Sequence, residues 1–270
     1  MDLSTAYLGF SLPHPIMPGA SPLSDNLDTV KRLEDAGAAA IVMYSLFEEQ
    51  IIADQERIVR DVEVPENSYA EALTYHPLTD EIRLGPDRYL EKVAAVKKSV
   101  SVPVIGSLNG VSEGGWTRHA RLIEQAGANA LELNIYFLAE NQSDIDTENL
   151  EILSKLKLST RDELLLRLRW LAMISGSLRL SLGITGGVHT GIDVVKAIMC
   201  GAHGVQMVSA LLLNQPEYLT IVKNELSEWL ESHEYESLGQ MRGSMGKEHA
   251  PDRDLLERVN YIRVLQGGVG

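Results

Sequence analysis

Two adjacent glycines, Gly186 and Gly187, are the residues of this 270-residue chain whose position best suits ligand chemistry. They follow an apolar run that ends at Ile184, and a helix starts directly after them with Thr190 as its cap and Asp193 as the capping-box partner. The N–H groups of such a turn and helix start attract anions, phosphate above all. The pair therefore indicates a phosphate-binding turn, the structural alternative being a tight strand-to-helix turn without a ligand.

A second bend follows the apolar run 204–208, which ends on Ser209 and Ala210. If both runs are parallel strands, their bends open on the same side. In (β/α)8 barrels, phosphate most often binds to the loops after strands 7 and 8. We therefore expect Gly186, Gly187, Ser209 and Ala210 to bind one phosphate group.

Two asparagines stand at the carboxyl ends of other predicted strands. Asn109 follows the apolar run 102–108, and Asn134 ends the run 130–134. Because strand side chains alternate, Glu132 and Asn134 point to the same side. Asn109 and Asn134 are the best candidates for polar ligand contacts.

The elements that position these residues repeat along the chain. The segments 34–43, 124–133 and 199–207 each place a helix end, a glycine and a strand in nearly the same register. Repeated βα units predict a parallel sheet. The first strand, 15–21, lacks the glycine pattern of a dinucleotide-binding turn, which favours a (β/α)8 TIM-type barrel over a doubly wound sheet.

We expect one domain over residues 1–270, with an inserted lid or interface segment at about 46–85 and a helical extension at about 216–266. Only six strands can be counted. Between Asn134 and Leu180 there is room for one helix, 161–174, with a predicted core face of Leu164, Leu165, Leu168 and Leu171. Two βα units of roughly 30 residues each would be needed to reach eight strands. The barrel is therefore expected to be incomplete near residues 140–143, through an omission, an internal deletion or an unusual closure.

The amino-acid composition restricts the classes of partner that the chain can bind. The net charge of −14 argues against nucleic acid and anionic membranes, and the single cysteine, Cys200, fits a reducing, cytoplasmic setting. No apolar run is long enough to span a bilayer. We expect a cytoplasmic protein with a small-molecule substrate, no metal, and assembly as a homodimer.

Five segments carry a resemblance to a known family: MDLSTAYLG, SLFEEQI, SLNGVSEGGW, LRWLAMI and HEYESLGQMRGSM. With these, the chain resembles the flavin-dependent dihydroorotate dehydrogenases, most closely the bacterial dihydroorotate dehydrogenase-like branch. The resemblance runs from Leu3 to about Leu138 and from about Asp144 onward. It implies a barrel with FMN above the strand ends and hydride transfer from dihydroorotate to the flavin, in pyrimidine biosynthesis. It also implies that Gly186, Gly187, Ser209 and Ala210 bind the phosphate, that Ala20 and Ser21 lie against the flavin ring, and that Asn109 and Asn134 contact flavin or substrate.

The chain departs from the family pattern at the proton-accepting residue. Phe137 stands where the family has Cys or Ser, and strand 2 lacks the family's lysine, with Tyr44 or Ser45 at that position. The strand with a second flavin-contacting lysine is missing near residue 140. The remaining proton-acceptor candidates are Tyr136, Ser45 and Glu48.

Three functions stay open at this point. The first is an FMN-dependent oxidoreductase that oxidises dihydroorotate. The second is a flavin-binding relative without dihydroorotate turnover, which Phe137 favours. The third is another phosphate-binding barrel enzyme, an aldolase or isomerase, for which an inward lysine or a Glu–His pair would be expected at the strand ends. The electron acceptor is not indicated by the sequence.

Overall fold

The computed structural model describes residues 1–47, 86–109, 115–134, 158–251 and 253. Most of the predicted insert, the predicted join at 140–143 and the end of the predicted helical extension, from residue 254 onward, lie outside these residues. The chain divides into two compact units: Met1–Gly19, Lys31–Ile41 and Lys155–Gly270 form the first unit, and Ala20–Val30 and Val42–Ser154 form the second. The single-domain organisation stays a prediction.

The described part of the chain has eight strands, of which β1 and β2 form a hairpin. The strands are β1 Thr5–Tyr7, β2 Phe10–Leu12, β3 Ile16–Pro18, β4 Ile41–Phe47, β5 Val104–Asn109, β6 Ala130–Asn134, β7 Gly183–Thr185 and β8 Gly204–Met207. The helices are α1 Leu27–Asp35, α2 Pro86–Ser99, α3 Gly115–Gln125, α4 Arg161–Ile174, α5 Gly191–Met199, α6 Ser209–Asn214, α7 Tyr218–Ser232 and α8 Leu238–Met241, with short 3-10 helices at Pro22–Ser24 and Lys247–His249.

The six strands predicted from the sequence form two three-stranded sheets, ordered β3-β8-β7 and β4-β5-β6. The pairs β3–β8, β7–β8 and β5–β6 are parallel. This confirms an α/β fold with parallel sheets, and the strand order within each sheet is consistent with a partial barrel. No closed barrel is found within the described ranges.

The first unit contains β3, β7 and β8 with α5 and α7 packed nearby. Its core is aliphatic: Ile16, Val194, Ile198, Val205 and Leu226 are fully or almost fully buried. The hairpin β1–β2 covers the amino-terminal ends of β7 and β8, where the ring of Tyr7 fills the space that a Cβ on Gly183 or Gly204 would need. The sequence analysis did not assign this role to Tyr7.

Helix α4 has the predicted bounds, 161–174, and it begins with a capping box between Thr160 and Glu163. Leu164, Leu168 and Leu171 are buried as predicted, because positions i, i+4 and i+7 share one helix face. The accompanying prediction for Leu165 is wrong: its side chain is 63% exposed, since it lies one residue, about 100°, around the helix from Leu164.

The second unit contains β5 and β6 and the described part of β4 after Ile41. Every residue of β5 is buried, as expected for a central parallel strand. Helix α3 packs on it at Gly106, where a Cβ would come within 2.4 Å of a methyl group of Ile123.

None of the helices in the described ranges is both long enough and apolar enough to cross a membrane.

His14, two residues before β3, is a buried neutral histidine. Its Nε2–H donates to the carbonyl of Gly37 at 2.7 Å, and its Nδ1 accepts the N–H of Ile16 at 3.3 Å. Burial lowers the pKa of His14 to about 4, with a smaller contribution from Lys223, although the bond to Gly37 opposes the shift. The imidazole therefore stays neutral in the folded protein at pH values where it is charged in the unfolded chain.

We predict that this histidine makes the protein less stable in mild acid. Its contribution is fully present above the unfolded pKa of about 6.5 and is lost as the pH falls toward 4, which costs roughly 2 kcal/mol between pH 7 and pH 5. Urea unfolding at the two pH values measures the loss. His14→Gln should flatten this dependence, whereas the same substitution at the exposed His249 should leave it unchanged; equal pH dependence in all three proteins would contradict the prediction.

Candidate functional site

Four polar side chains meet on the three adjacent strands of the second unit. Ser45 of β4, Ser107 of β5, and Glu132 and Asn134 of β6 are joined through one atom, the hydroxyl oxygen of Ser107. Its distances are 2.8 Å to the Ser45 hydroxyl, 3.3 Å to Oε1 of Glu132 and 3.1 Å to Nδ2 of Asn134. We call these four residues the Ser107 cluster.

The pairing register of the strands explains why the side chains of the cluster lie together. In the parallel pair β5–β6, Ser107 lies beside Glu132 and Asn109 beside Asn134. Residues two apart on a strand point to the same side. Glu132 and Asn134 therefore lie on one side of β6, as the sequence predicted, and both reach toward the same neighbour on β5.

Tyr89 of α2 fixes the backbone of Ser107 from the helix side. Its hydroxyl accepts the N–H of Ser107 at 2.9 Å and donates to the carbonyl of Ser107 at 3.1 Å. Burial raises the pKa of Tyr89, so the phenol remains protonated. Ser107 is fully buried, while Ser45, Glu132 and Asn134 are partly exposed, so the centre of the cluster is enclosed and its outer members are not.

Two predicted flavin contacts in this unit have buried polar atoms that are not satisfied. Among the residues that the structure describes, the hydroxyl of Ser21 and the Oδ1 of Asn109 have no hydrogen-bond partner, and the same holds for the hydroxyl of Tyr44. Leaving such a group unpaired costs about 1–3 kcal/mol. Such atoms mark positions where a ligand that supplies hydrogen bonds would be stabilised.

The two bends of the first unit come together. The N–H of Gly187 donates to the hydroxyl of Ser159 at 2.9 Å, and the hydroxyls of Ser159 and Ser209 are 2.9 Å apart. Ser209 also accepts the N–H of Ser159 at 2.9 Å. The bends thus face each other as predicted, and the hydroxyl of Ser159 occupies the space between them.

Both glycines of the first bend have the backbone conformation that glycine favours, with φ of +84° at Gly186 and +79° at Gly187. The guanidinium group of Arg167 lies over Gly186, where a Cβ would stand 2.8 Å from its Nε. Arg167 also donates to the carbonyl oxygen of Glu163 at 2.7 Å and pairs with the carboxylate of Glu163 at 3.5 Å. The cation beside the predicted phosphate turn is therefore already paired with a carboxylate of its own helix.

The helix start after this turn is held by carboxylates of the protein itself. Thr190 and Asp193 form the predicted capping box, and Asp193 also pairs with Arg161 at 3.2 Å. Burial alone would raise the pKa of Asp193, but the N–H groups of His189 and Thr190 and the Arg161 guanidinium lower it overall. Glu225 accepts the N–H of Gly191 at 2.6 Å. An anionic ligand would therefore depend on Gly187 and the two serines rather than on this helix end.

The predicted site residues thus fall into two groups. The first unit contains Gly186, Gly187, Ser209 and Ala210, and the second contains Ala20, Ser21, Asn109 and Asn134. Of the proton-acceptor candidates, Ser45 is described, whereas Tyr136 and Glu48 lie outside the described residues.

Sequence reasoning missed three residues of these groups. For Ser107, a signal was available, because Ser107 lies two residues before Asn109 on the same strand and both side chains point to the same side. For Ser159, the helix start at Thr160 pointed to an ordered position, but nothing local indicated its partner. Arg167 gave no signal, because its contact with Gly186 depends on how α4 packs.

No family model matches the chain. The chain is similar to three proteins named "Putative dihydroorotate dehydrogenase A (fumarate)" from Streptococcus agalactiae, of serotypes Ia, V and III. Each is 41% identical over 61 residues, which make up 23% of this chain and 20% of the relative. The matched segment therefore covers about a fifth of the length of these relatives, and it supports a relationship to dihydroorotate dehydrogenase over that segment alone.

We predict that Gly187 is required for the packing of this turn. In Gly187→Ala, the new methyl group would stand 2.7 Å from the carbonyl oxygen of Thr160 and the nitrogen of Leu164, in addition to the strain of a positive φ. The free energy of unfolding should fall by about 2–4 kcal/mol. Urea denaturation measures the change.

Gly9→Ala is the matched control, because Gly9 has φ +81° and nothing within 4 Å of its Cβ position. It should cost only about 1 kcal/mol through backbone strain. Equal losses in the two variants would show that Thr160 and Leu164 do not crowd this turn.

Proposed function

We propose that the chain is an FMN-dependent oxidoreductase of the dihydroorotate dehydrogenase type, acting on dihydroorotate or a similar small molecule. The observation that carries this proposal is the pair of buried, unpartnered polar atoms on Ser21 and Asn109, both at positions where the family resemblance implies flavin contacts. The short similarity to the streptococcal proteins supports the same assignment.

The polar atoms of the second unit fit the ring of a flavin. Oδ1 of Asn109 can only accept a hydrogen bond, and the hydroxyl of Ser21 can donate or accept one. An isoalloxazine ring has both donors and acceptors along its polar edge. Ala20, next to Ser21, and Asn134, next to Asn109 across the strands, complete the proposed set of ring contacts.

The groups of the first unit fit a phosphate. The N–H of Gly187, the hydroxyls of Ser159 and Ser209 and the guanidinium of Arg167 are donors suited to an anion. Gly186 keeps the bend open to Arg167, and the small Ala210 follows Ser209 at the start of α6. The hydroxyl of Ser159 would have to give its place to a phosphate oxygen.

When bound, FMN would supply the hydride acceptor. The chain itself has to orient the substrate and accept a proton from its carbon. Within the described residues, Ser45 is the candidate for the latter task, and its hydroxyl already belongs to a hydrogen-bonded cluster that includes Glu132.

A second candidate function is a flavin-binding protein without dihydroorotate turnover. Phe137, at the position of the family's proton acceptor, favours it, because a phenyl ring accepts no proton. We further propose a cytoplasmic homodimer as the working form. The two candidates share the cofactor and differ in the response to substrate.

Addition of dihydroorotate to the FMN-loaded protein without oxygen separates these functions. An enzyme loses the visible absorbance of the flavin, whereas a binding protein keeps it. A purified protein that is colourless and does not bind added FMN would overturn both.

We predict that Ser21→Ala weakens FMN binding without destabilising the apoprotein, because the hydroxyl that it removes has no partner in the described structure. The dissociation constant for FMN should rise about tenfold, the equivalent of one hydrogen bond. Quenching of flavin fluorescence measures binding, and thermal unfolding of the apoprotein measures stability.

Ser24→Ala is the matched control, three residues along the chain. The hydroxyl of Ser24 accepts the N–H of Tyr44 at 2.6 Å and donates to the carbonyl of Ser21 at 3.0 Å. Its loss should destabilise the apoprotein by about 1–2 kcal/mol. Unchanged FMN affinity in Ser21→Ala would remove Ser21 from the proposed site.

A further inference from the structure

We propose that Ser45, Ser107 and Glu132 form a proton relay, in which Ser45 takes a proton from a substrate carbon and Glu132 is its final acceptor. The inference rests on the proposed function for its substrate. It assigns the proton-accepting task that Phe137 leaves vacant to side chains of β4, β5 and β6.

The hydrogen count at Ser107 fixes the direction of the relay. A hydroxyl has one hydrogen and two acceptor lone pairs. With Glu132 ionised, the carboxylate can only accept, so Ser107 donates to it. Ser45 and Asn134 must then both donate to Ser107, which leaves the lone pairs of the Ser45 oxygen directed away from the cluster.

The hydrogen bonds of the cluster are also complete after a proton has passed along it. If Glu132 is protonated, it donates to Ser107, and Ser107 in turn donates to Ser45. Asn134 donates to Ser107 in both states and holds the oxygen in place. The cluster therefore has two fully hydrogen-bonded arrangements that differ by one proton.

Burial separates the middle of the relay from its two ends. Ser107 is completely buried, and Tyr89 holds its N–H and its carbonyl. Water therefore does not interrupt the middle of the relay. Ser45 and Glu132, at the two ends, are both partly exposed.

The proton step balances without an oxidant. The substrate C–H bond next to a carbonyl breaks, its proton goes to the oxygen of Ser45, the hydrogen of Ser45 goes to Ser107, and that of Ser107 goes to Oε1 of Glu132. The electron pair stays on the substrate as an enolate. One negative charge moves from Glu132 to the substrate, and net oxidation would follow only on hydride loss.

Exchange with solvent deuterium isolates this step. FMN-loaded protein, reduced beforehand so that it cannot accept hydride, is incubated with dihydroorotate in D2O, and deuterium at the carbon next to the carbonyl is followed by NMR. Wild-type protein should catalyse the exchange. Ser45→Ala, Ser107→Ala and Glu132→Gln should each slow it about 100-fold.

Conservative variants distinguish the loss of proton transfer from the loss of structure. Ser107→Thr and Glu132→Asp keep the hydroxyl and the carboxylate and should restore much of the exchange, and all variants should bind FMN like the wild type. The control is Ser99→Ala in α2, which removes a partly exposed hydroxyl that bonds to the carbonyl of Ala95 in its own helix. This variant should exchange at the wild-type rate.

The outcomes distinguish the two proposals. Wild-type exchange that survives in Ser107→Ala and Glu132→Gln overturns the relay, while flavin reduction by dihydroorotate would leave the proposed function standing. Absence of exchange in the wild type overturns the relay as well. Absence of both FMN binding and exchange overturns the proposed function with it.

Discussion

Parallel strand pairing is the constraint on which both groups of candidate residues depend. In a parallel sheet, the carboxyl ends of all strands lie at one edge, so polar residues near the ends of neighbouring strands are brought side by side whatever their separation in sequence. The register of β5 and β6 pairs Ser107 with Glu132 and Asn109 with Asn134. A lone serine at the position of Ser107 would be buried without a partner for its hydroxyl. Four polar residues on three strands instead satisfy one another through the hydroxyl of Ser107.

The same constraint acts in the first unit, where β7 and β8 are parallel neighbours and the bends after them converge. There, a third segment completes the arrangement: Ser159, just before α4, bonds to Gly187 and to Ser209. Helix α4 also brings Arg167 over Gly186. The glycines make this approach possible because neither has a side chain. The packing of α4 therefore brings together hydrogen-bond donors that neither bend contains by itself.

The predictions that the structure confirms are those governed by local chemistry. The capping box of Thr190 and Asp193 and the bounds of α4 follow from residues within one helical turn. The six strands of the two sheets follow from apolar patterning and turn residues. Leu165 was placed wrongly because an all-leucine stretch does not show which face is buried. Ser107, Ser159 and Arg167 were missed because their partners are distant in sequence, and contacts between elements determine their roles.

The second unit contains two kinds of buried polar group, and the difference bears on function. The hydroxyl of Ser107 has a partner for its hydrogen and for both of its lone pairs, so the cluster holds its geometry without a ligand. Ser21 and Asn109 instead have polar atoms that no described residue satisfies, at a cost of about 1–3 kcal/mol each. That is a substantial fraction of a typical folding free energy of 5–15 kcal/mol. A ligand that binds the folded state and pairs with these atoms recovers this free energy on binding.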